Sequence, residues 1–189
     1  RSTSSAASDV YKRQIYSRLG NPTVGALEAR LTALEEGAMC VALSSGTSAV
    51  MYSLINIMSQ GDNFVTANQL YGGTYTMFDN ILPEYGINSK KVDITDLEAV
   101  EAAIDEKTRA IYCETITNPG LVVADISALA DIAHSKGIPL IVDATFTTSA
   151  ILKPFEYGAD IVVYSLTKWM SGHGRVIAGA VIEKGGFDW

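Results

Sequence analysis

The chain has 189 residues, 48% of them hydrophobic and 19% charged, enough to bury the core of one large domain and too few for a full second one. With 14 Lys and Arg against 21 Asp and Glu, the net charge of −7 argues against nucleic-acid and anionic-membrane partners, which recruit clustered basic side chains, and favours a small-molecule partner. No apolar run reaches the roughly 18 to 20 residues that cross a bilayer and no secretory signal is visible, so a soluble cytoplasmic protein is expected.

The chain starts at Arg1 without an initiator Met, and residues 2–7 are rich in Ser, Ala and Thr with neither helical nor strand periodicity. Residues 1–14 are therefore expected to be non-family or disordered, and 15–189 to form one domain. Pro22 suits a first helical turn, Leu27, Leu31 and Leu34 recur at helical spacing, and Gly37 is expected to end that helix. Strands are predicted at 40–44, 63–67, 91–94, 110–114, 140–143, 161–165 and 177–182, most of them bounded by Gly, Pro, Asn or Asp. Helices are predicted at 47–58, 74–82, 97–104 and 126–135, the last two capped by Asp96 and Asp125.

This alternation predicts an α/β fold, a doubly wound, mostly parallel seven-stranded sheet flanked by helices, with its ligand at the carboxyl ends of the strands. No long helix fits between Lys168 and the strand at 177–182, so that strand is expected to run antiparallel. Cys40 and Cys113 sit in apolar strands without CxxC or metal-type spacing and read as core thiols; with two histidines in the chain, no metal site is expected. Phe187 and Trp189, at the end of the chain, suggest aromatics whose packing partners are missing.

The chemistry centres on Lys168 and Asp143. An amine and a carboxylate at the ends of two buried strands are costly to desolvate unless something occupies the space between them, and pyridoxal phosphate would fill it. A neutral lysine amine forms a Schiff base with an aldehyde, and a buried carboxylate keeps a pyridine nitrogen protonated. Each residue also has an ordinary reading: a lysine snorkelling from a strand end, and an aspartate capping the following turn. Ser165 and Thr167 alternate to the same side of their strand, where both hydroxyls can meet one phosphate. Ser44-Ser45-Gly46-Thr47 follows a strand and opens a helix, which also suits a phosphate, although turn geometry and capping explain such segments more often. It is neither a Walker loop nor Gly-x-Gly-x-x-Gly. Tyr71-Gly72-Gly73-Thr74-Tyr75 offers an aromatic ring for stacking on a close-approaching backbone, or simply helix-start packing.

Tyr16-Ser17-Arg18-Leu19-Gly20-Asn21-Pro22-Thr23, Ser45-Gly46-Thr47, Tyr71-Gly72-Gly73-Thr74, Asn118-Pro119, Val142-Asp143 and Ser165-Leu166-Thr167-Lys168 follow one another as in the trans-sulfuration, or Cys/Met-metabolism, enzymes. The chain resembles that family from Tyr16 to Trp189. The resemblance implies pyridoxal 5'-phosphate as cofactor and the large domain of an aspartate-aminotransferase-like, fold type I enzyme. It implies that Lys168 carries the cofactor, that Asp143 pairs with the pyridine nitrogen, and that Ser45, Gly46, Thr47, Ser165 and Thr167 cradle the phosphate. Tyr71 resembles the ring-stacking aromatic that assists proton transfer and leaving-group departure, and Asn118 the residue near the phenolic oxygen. Tyr16 and Arg18 match the pair that reaches the neighbouring subunit's phosphate site, so a homodimer or homotetramer with shared active sites is implied.

Two departures stand out. Ala144 follows Asp143 where many relatives have Asn, and the smaller C-terminal domain that carries the arginine for the substrate carboxylate has no counterpart here. Gly73 lies where methionine γ-lyases commonly have Cys, and Tyr-Gly-Gly-Thr-Tyr and Gly-Gly-Phe-Asp-Trp look most like O-acetylhomoserine sulfhydrylases. The implied reaction is γ-replacement of O-acetylhomoserine by sulfide or methanethiol, giving homocysteine or methionine. Methionine or cystathionine γ-lyase activity is the alternative, together with a cofactor-binding fragment without turnover. His173, beside a glycine turn, reads as structural.

Overall fold

The computed structural model describes residues 16–189; the boundary expected near residue 15 lies outside them. Helix α1 spans Pro22–Glu35, β1 Met39–Leu43, α2 Gly46–Ile55, β2 Asn63–Ala67 and α3 Gly72–Thr76. Then follow β3 Asn88–Val92, α4 Leu97–Ala103, β4 Thr108–Glu114, α5 Ile126–Ser135, β5 Leu140–Asp143, the short α6 Thr148–Ile151, β6 Ile161–Ser165 and β7 Gly179–Glu183. The strands form one seven-stranded sheet in the order β1-β7-β6-β5-β4-β2-β3. Strands β3, β2, β4, β5 and β6 are parallel, whereas β7 runs antiparallel to both β6 and β1, as the missing crossover helix required.

The central strands are the continuous apolar runs. Every residue of Ile161–Tyr164 and Leu140–Val142 is buried, as parallel strands covered on both faces demand. Below β4, Phe64, Phe78 and Tyr112 pack edge to face with ring centroids 4.7 and 5.2 Å apart. Both cysteines are buried and free, and burial pushes the Cys40 thiol up to about 12.

Three elements depart most from the sequence reading, while β1, β4 and β7 are displaced by one or two residues at their ends. Strand β3 begins at Asn88 rather than Lys91, because it is the sheet's edge and needs no apolar run. Lys90 there is held by Asp105 at 2.6 Å and Lys91 pairs with Asp79. The helix expected over 74–82 is regular only over Gly72–Thr76; it widens into a π turn over Met77–Ile81 and tightens to 3₁₀ geometry over Leu82–Tyr85, where Pro83 has no N–H to donate. The helix expected over 47–58 stops at Ile55.

Helix α1 opens as expected, with Asn21 accepting from Thr23 N at 2.9 Å and Pro22 in the first turn. Its left-handed terminal residue is Glu36 (φ 59°), not Gly37. Gly37 serves close packing instead: a Cβ there would lie 2.8 Å from Ile182 Cγ2 and 2.9 Å from the Glu183 carbonyl of β7. Of Leu27, Leu31 and Leu34 only Leu31 is buried. Buried Glu35 accepts the Tyr164 hydroxyl, joining α1 to β6. Asp96 and Asp125 cap α4 and α5 as expected, accepting from Ala99 N and Ala128 N. At the end of the chain Phe187 and Trp189 pair with each other at 4.6 Å, and the Trp189 indole donates to Glu183 at 3.1 Å.

Candidate active site

A cavity of about 750 Å³ opens at the carboxyl ends of the parallel strands, the position that strand-to-helix crossovers leave open for ligands. Each strand delivers its group there. The turn after β1 supplies Ser45, Gly46 and Thr47, the loop after β2 supplies Tyr71, and β4 ends in Glu114 with Asn118 just beyond. Asp143 closes β5, and β6 ends in Ser165, from which Thr167 and Lys168 continue. Eight sequence positions singled out for cofactor binding besides Lys168 thus meet at one cavity. Tyr16 and Arg18 do not: they lie off it on an exposed segment, with the Arg18 guanidinium 5.5 Å from the Tyr16 ring.

Asp143 sits deep in the cavity. Burial raises its carboxyl above the usual range, opposed by the Thr145 N–H at 2.9 Å and by the Tyr112 hydroxyl, which donates at 3.3 Å. A cation placed against it would be held by a charge with little water around it. Lys168 corrects the sequence reading, because its side chain is exposed rather than desolvated. Strand β6 ends at Ser165, so Lys168 stands on the turn beyond, with its Nζ 6.0 Å from the Tyr71 ring centroid. For the same reason strand alternation does not orient Thr167. Its hydroxyl is held by the chain before β7, donating to the Ala178 carbonyl at 3.2 Å and accepting from Ala178 N at 3.1 Å.

Gly46 also has a different reason for being small. A Cβ there would lie 2.4 Å from that of Ser165, so glycine lets the start of α2 seat against β6. The Ser45 hydroxyl caps α2 by accepting from Ser48 N at 3.0 Å, leaving the helix start at the cavity wall as a region of positive potential. Gly73 makes room for the Tyr71 ring, whose Cε1 would lie 2.7 Å from a Cβ at that position.

Glu114 and Thr145 were not singled out from the sequence. Glu114 accepts from Tyr71 N at 2.7 Å and Asn118 N at 3.0 Å, and Thr145 Oγ1 accepts from Ser165 N at 2.7 Å. The signal for Glu114 was an acid ending an apolar strand, the same signal that drew attention to Asp143. Among the described residues there is no metal-ligating cluster, and no helix is long and apolar enough to cross a membrane.

This donor set fits pyridoxal phosphate: hydroxyls and a helix start for the phosphate, a buried carboxylate for the pyridine nitrogen, an amine for the aldehyde and an aromatic ring for the face. The sequence model of the Cys/Met metabolism PLP-dependent enzymes matches residues 2–189. The chain belongs to this family. Its cofactor is pyridoxal phosphate. Homocysteine synthase of Schizosaccharomyces pombe is 47% identical over 176 residues, 93% of this chain and 41% of the relative. The cystathionine γ-lyase of Lactobacillus plantarum, solved with L-serine, superposes with a TM-score of 0.86 at 42% identity, over 90% of this chain and 44% of that one. The O-acetylhomoserine sulfhydrylase of the methionine biosynthetic pathway of Wolinella succinogenes superposes with a TM-score of 0.84 at 42% identity, over 89% and 49%. The chain therefore spans less than half the length of these proteins.

Proposed function

We propose that the protein acts in γ-replacement, joining sulfide or methanethiol to the carbon skeleton of O-acetylhomoserine to give homocysteine or methionine. The observation that carries the reading is the convergence of Lys168, Tyr71 and Asp143 on one cavity of a pyridoxal-phosphate family member, together with relatives named homocysteine synthase and O-acetylhomoserine sulfhydrylase. Bound there, pyridoxal phosphate supplies an electron sink for negative charge at the substrate α-carbon. The Asp143 carboxylate would pair with the protonated pyridine nitrogen, a Coulomb attraction that must outweigh the cost of burying the carboxylate and is strengthened by the same low-dielectric surroundings. Ser45, Gly46, Thr47, Ser165 and Thr167 would hold the phosphate, and Asn118 would lie on the side of the phenolic oxygen. Lys168 Nζ, exposed to the cavity and near the Tyr71 ring, moves protons at the substrate α- and β-carbons. The Tyr71 hydroxyl assists departure of the γ-substituent.

The chain is read as the cofactor-binding large domain of a longer cytoplasmic enzyme whose remaining part binds the substrate carboxylate. Tyr16 and Arg18, which lie off their own cavity, complete the phosphate site of a second subunit; the planar Arg18 guanidinium suits a bidentate contact. The likeness to a cystathionine γ-lyase favours γ-elimination as the second reading.

Product analysis of the holoenzyme decides between them. Homocysteine formed from O-acetylhomoserine and sulfide, with little turnover of cystathionine or methionine alone, is the expected result. Release of a 2-oxo acid and ammonia from cystathionine or methionine without replacement would establish the lyase instead.

A further inference from the structure

Glu114 is buried at the end of β4 and is not among the groups assigned to cofactor or substrate above. Its two oxygens are divided between loops that are far apart in sequence: Oε1 accepts the Tyr71 N–H at 2.7 Å, and Oε2 accepts the Asn118 N–H at 3.0 Å. Neither N–H has a main-chain acceptor among the described residues. Tyr71 directly precedes α3, where no side chain caps the helix start, so its backbone is tied down by this carboxylate rather than by a local cap. A buried carboxylate shared by two N–H groups in part-buried hydrogen bonds is a strong tether, and the spacing of its two oxygens fixes one loop relative to the other.

We propose that Glu114 is a positioning residue that locks the Tyr71 loop and the Asn118 loop into one wall of the cavity, setting ring and amide together against the cofactor. The role rests on the pyridoxal-phosphate reading of the cavity. A glutamine of the same shape offers one acceptor oxygen and turns an NH₂ toward the other N–H, so it can hold one loop but not both. An aspartate keeps the charge but is one methylene too short to reach both loops from the same backbone position.

The surroundings make the lock sensitive to pH. Burial, and to a lesser degree the Asp143 charge on β5 beside it, push the Glu114 carboxyl up to about 7 against the pull of its two N–H donors. Tyr112 and Cys113 on β4 are neutral there, both held well above their ordinary values by burial. Lys168 is the cation facing the cavity from the turn after β6. Protonation converts one carboxylate oxygen into a hydroxyl and weakens its hold on one loop.

The test compares wild-type holoenzyme with E114Q and E114D. The visible absorbance of lysine-bound cofactor should persist in both variants, while its visible circular dichroism and kcat fall about tenfold, with KM changed much less. In a Y71A/N118A background, E114Q should add little further loss of the dichroic signal, because the ring and amide that it positions are gone although the backbone N–H groups remain. Wild-type dichroism and kcat in a variant whose only change is a lower Tm would overturn the proposal, as would a full additional loss in the Y71A/N118A background. If neither variant folds, amide exchange in the wild type decides: a loop opening that leaves Glu114 buried removes only the two donors that favour its ionised form, so the Tyr71 and Asn118 amides should lose protection together as pH falls through about 7, even though global stability does not fall, and independent behaviour of the two overturns the lock. A wild-type protein with no cofactor band that depends on Lys168 would instead sink the cofactor reading, and E114Q would still be expected to speed exchange of one of the two amides, that of the loop its NH₂ turns toward.

Discussion

Glu114 and Gly73 act on Tyr71 from opposite sides, one through its N–H and the other through the space left for its ring. The Glu114 carboxyl is raised from its ordinary 4.5 to about 7. A raised folded-state value favours the protonated form, so this group's contribution to stability is fully present below about 4.5 and is lost as pH rises through about 7. The wild type should therefore lose stability over that window relative to E114Q, whose side chain does not titrate. Denaturant titrations at a series of pH values check it, and parallel profiles for the two proteins would refute it. At Gly73, an alanine Cβ would meet the exposed end of the Tyr71 ring rather than backbone, so the ring can yield cheaply. The expected result for G73A is stability within about 0.5 kcal/mol of wild type, since no core contact is lost. Its kcat should nonetheless fall about tenfold, because displacement of a positioned group by about 1 Å is costly to catalysis. A melting curve beside steady-state kinetics separates the two effects.

At the level of elements, legibility followed burial. Strands β2, β5 and β6 were read to the residue because a continuous apolar run ending in a polar residue has one interpretation once it alternates with helices. Edge strand β3 and the π and 3₁₀ turns after α3 were misread because their conformations are set by pairing at one side and by Pro83, neither of which leaves an apolar period. The site followed the same logic. Asp143 and Lys168 drew attention by following apolar strands, and Glu114 carried the same signal, but its role could not be read because its partners are backbone N–H groups of distant loops. Gly37 was assigned to the correct turn for the wrong reason: its contacts lie on β7, which no local pattern reveals. G37A should therefore destabilise by about 1–3 kcal/mol through overpacking against Ile182 and the Glu183 carbonyl, rather than through a left-handed backbone. Replacing left-handed Glu36 by glycine should instead be neutral or mildly stabilising, and urea denaturation of both variants tests the assignment.

For the molecule as a whole, the placement of Tyr16 and Arg18 carries the sharpest consequence. The segment stands exposed and away from the cavity of its own chain, while Leu19, Met39, Val41, Ile151 and Ile177 leave apolar side chains at the surface. If Arg18 completes the phosphate site of a second subunit, one site draws Lys168 from one chain and Arg18 from the other. Neither R18A nor K168A homodimers then contain an intact site. A heterodimer of the two contains one intact site, made of Lys168 from the R18A chain and Arg18 from the K168A chain, and one site that lacks both. Unfolding and refolding an equimolar mixture of the two inactive full-length variants should therefore restore about a quarter of wild-type activity, since half the random dimers are mixed and each has one working site. Arg18 acting within its own chain gives no recovery, because every site would still lack one of the two groups. Sizing of the refolded mixture confirms that subunits have exchanged, and activity that stays at the level of the separate variants in exchanged dimers refutes the shared site.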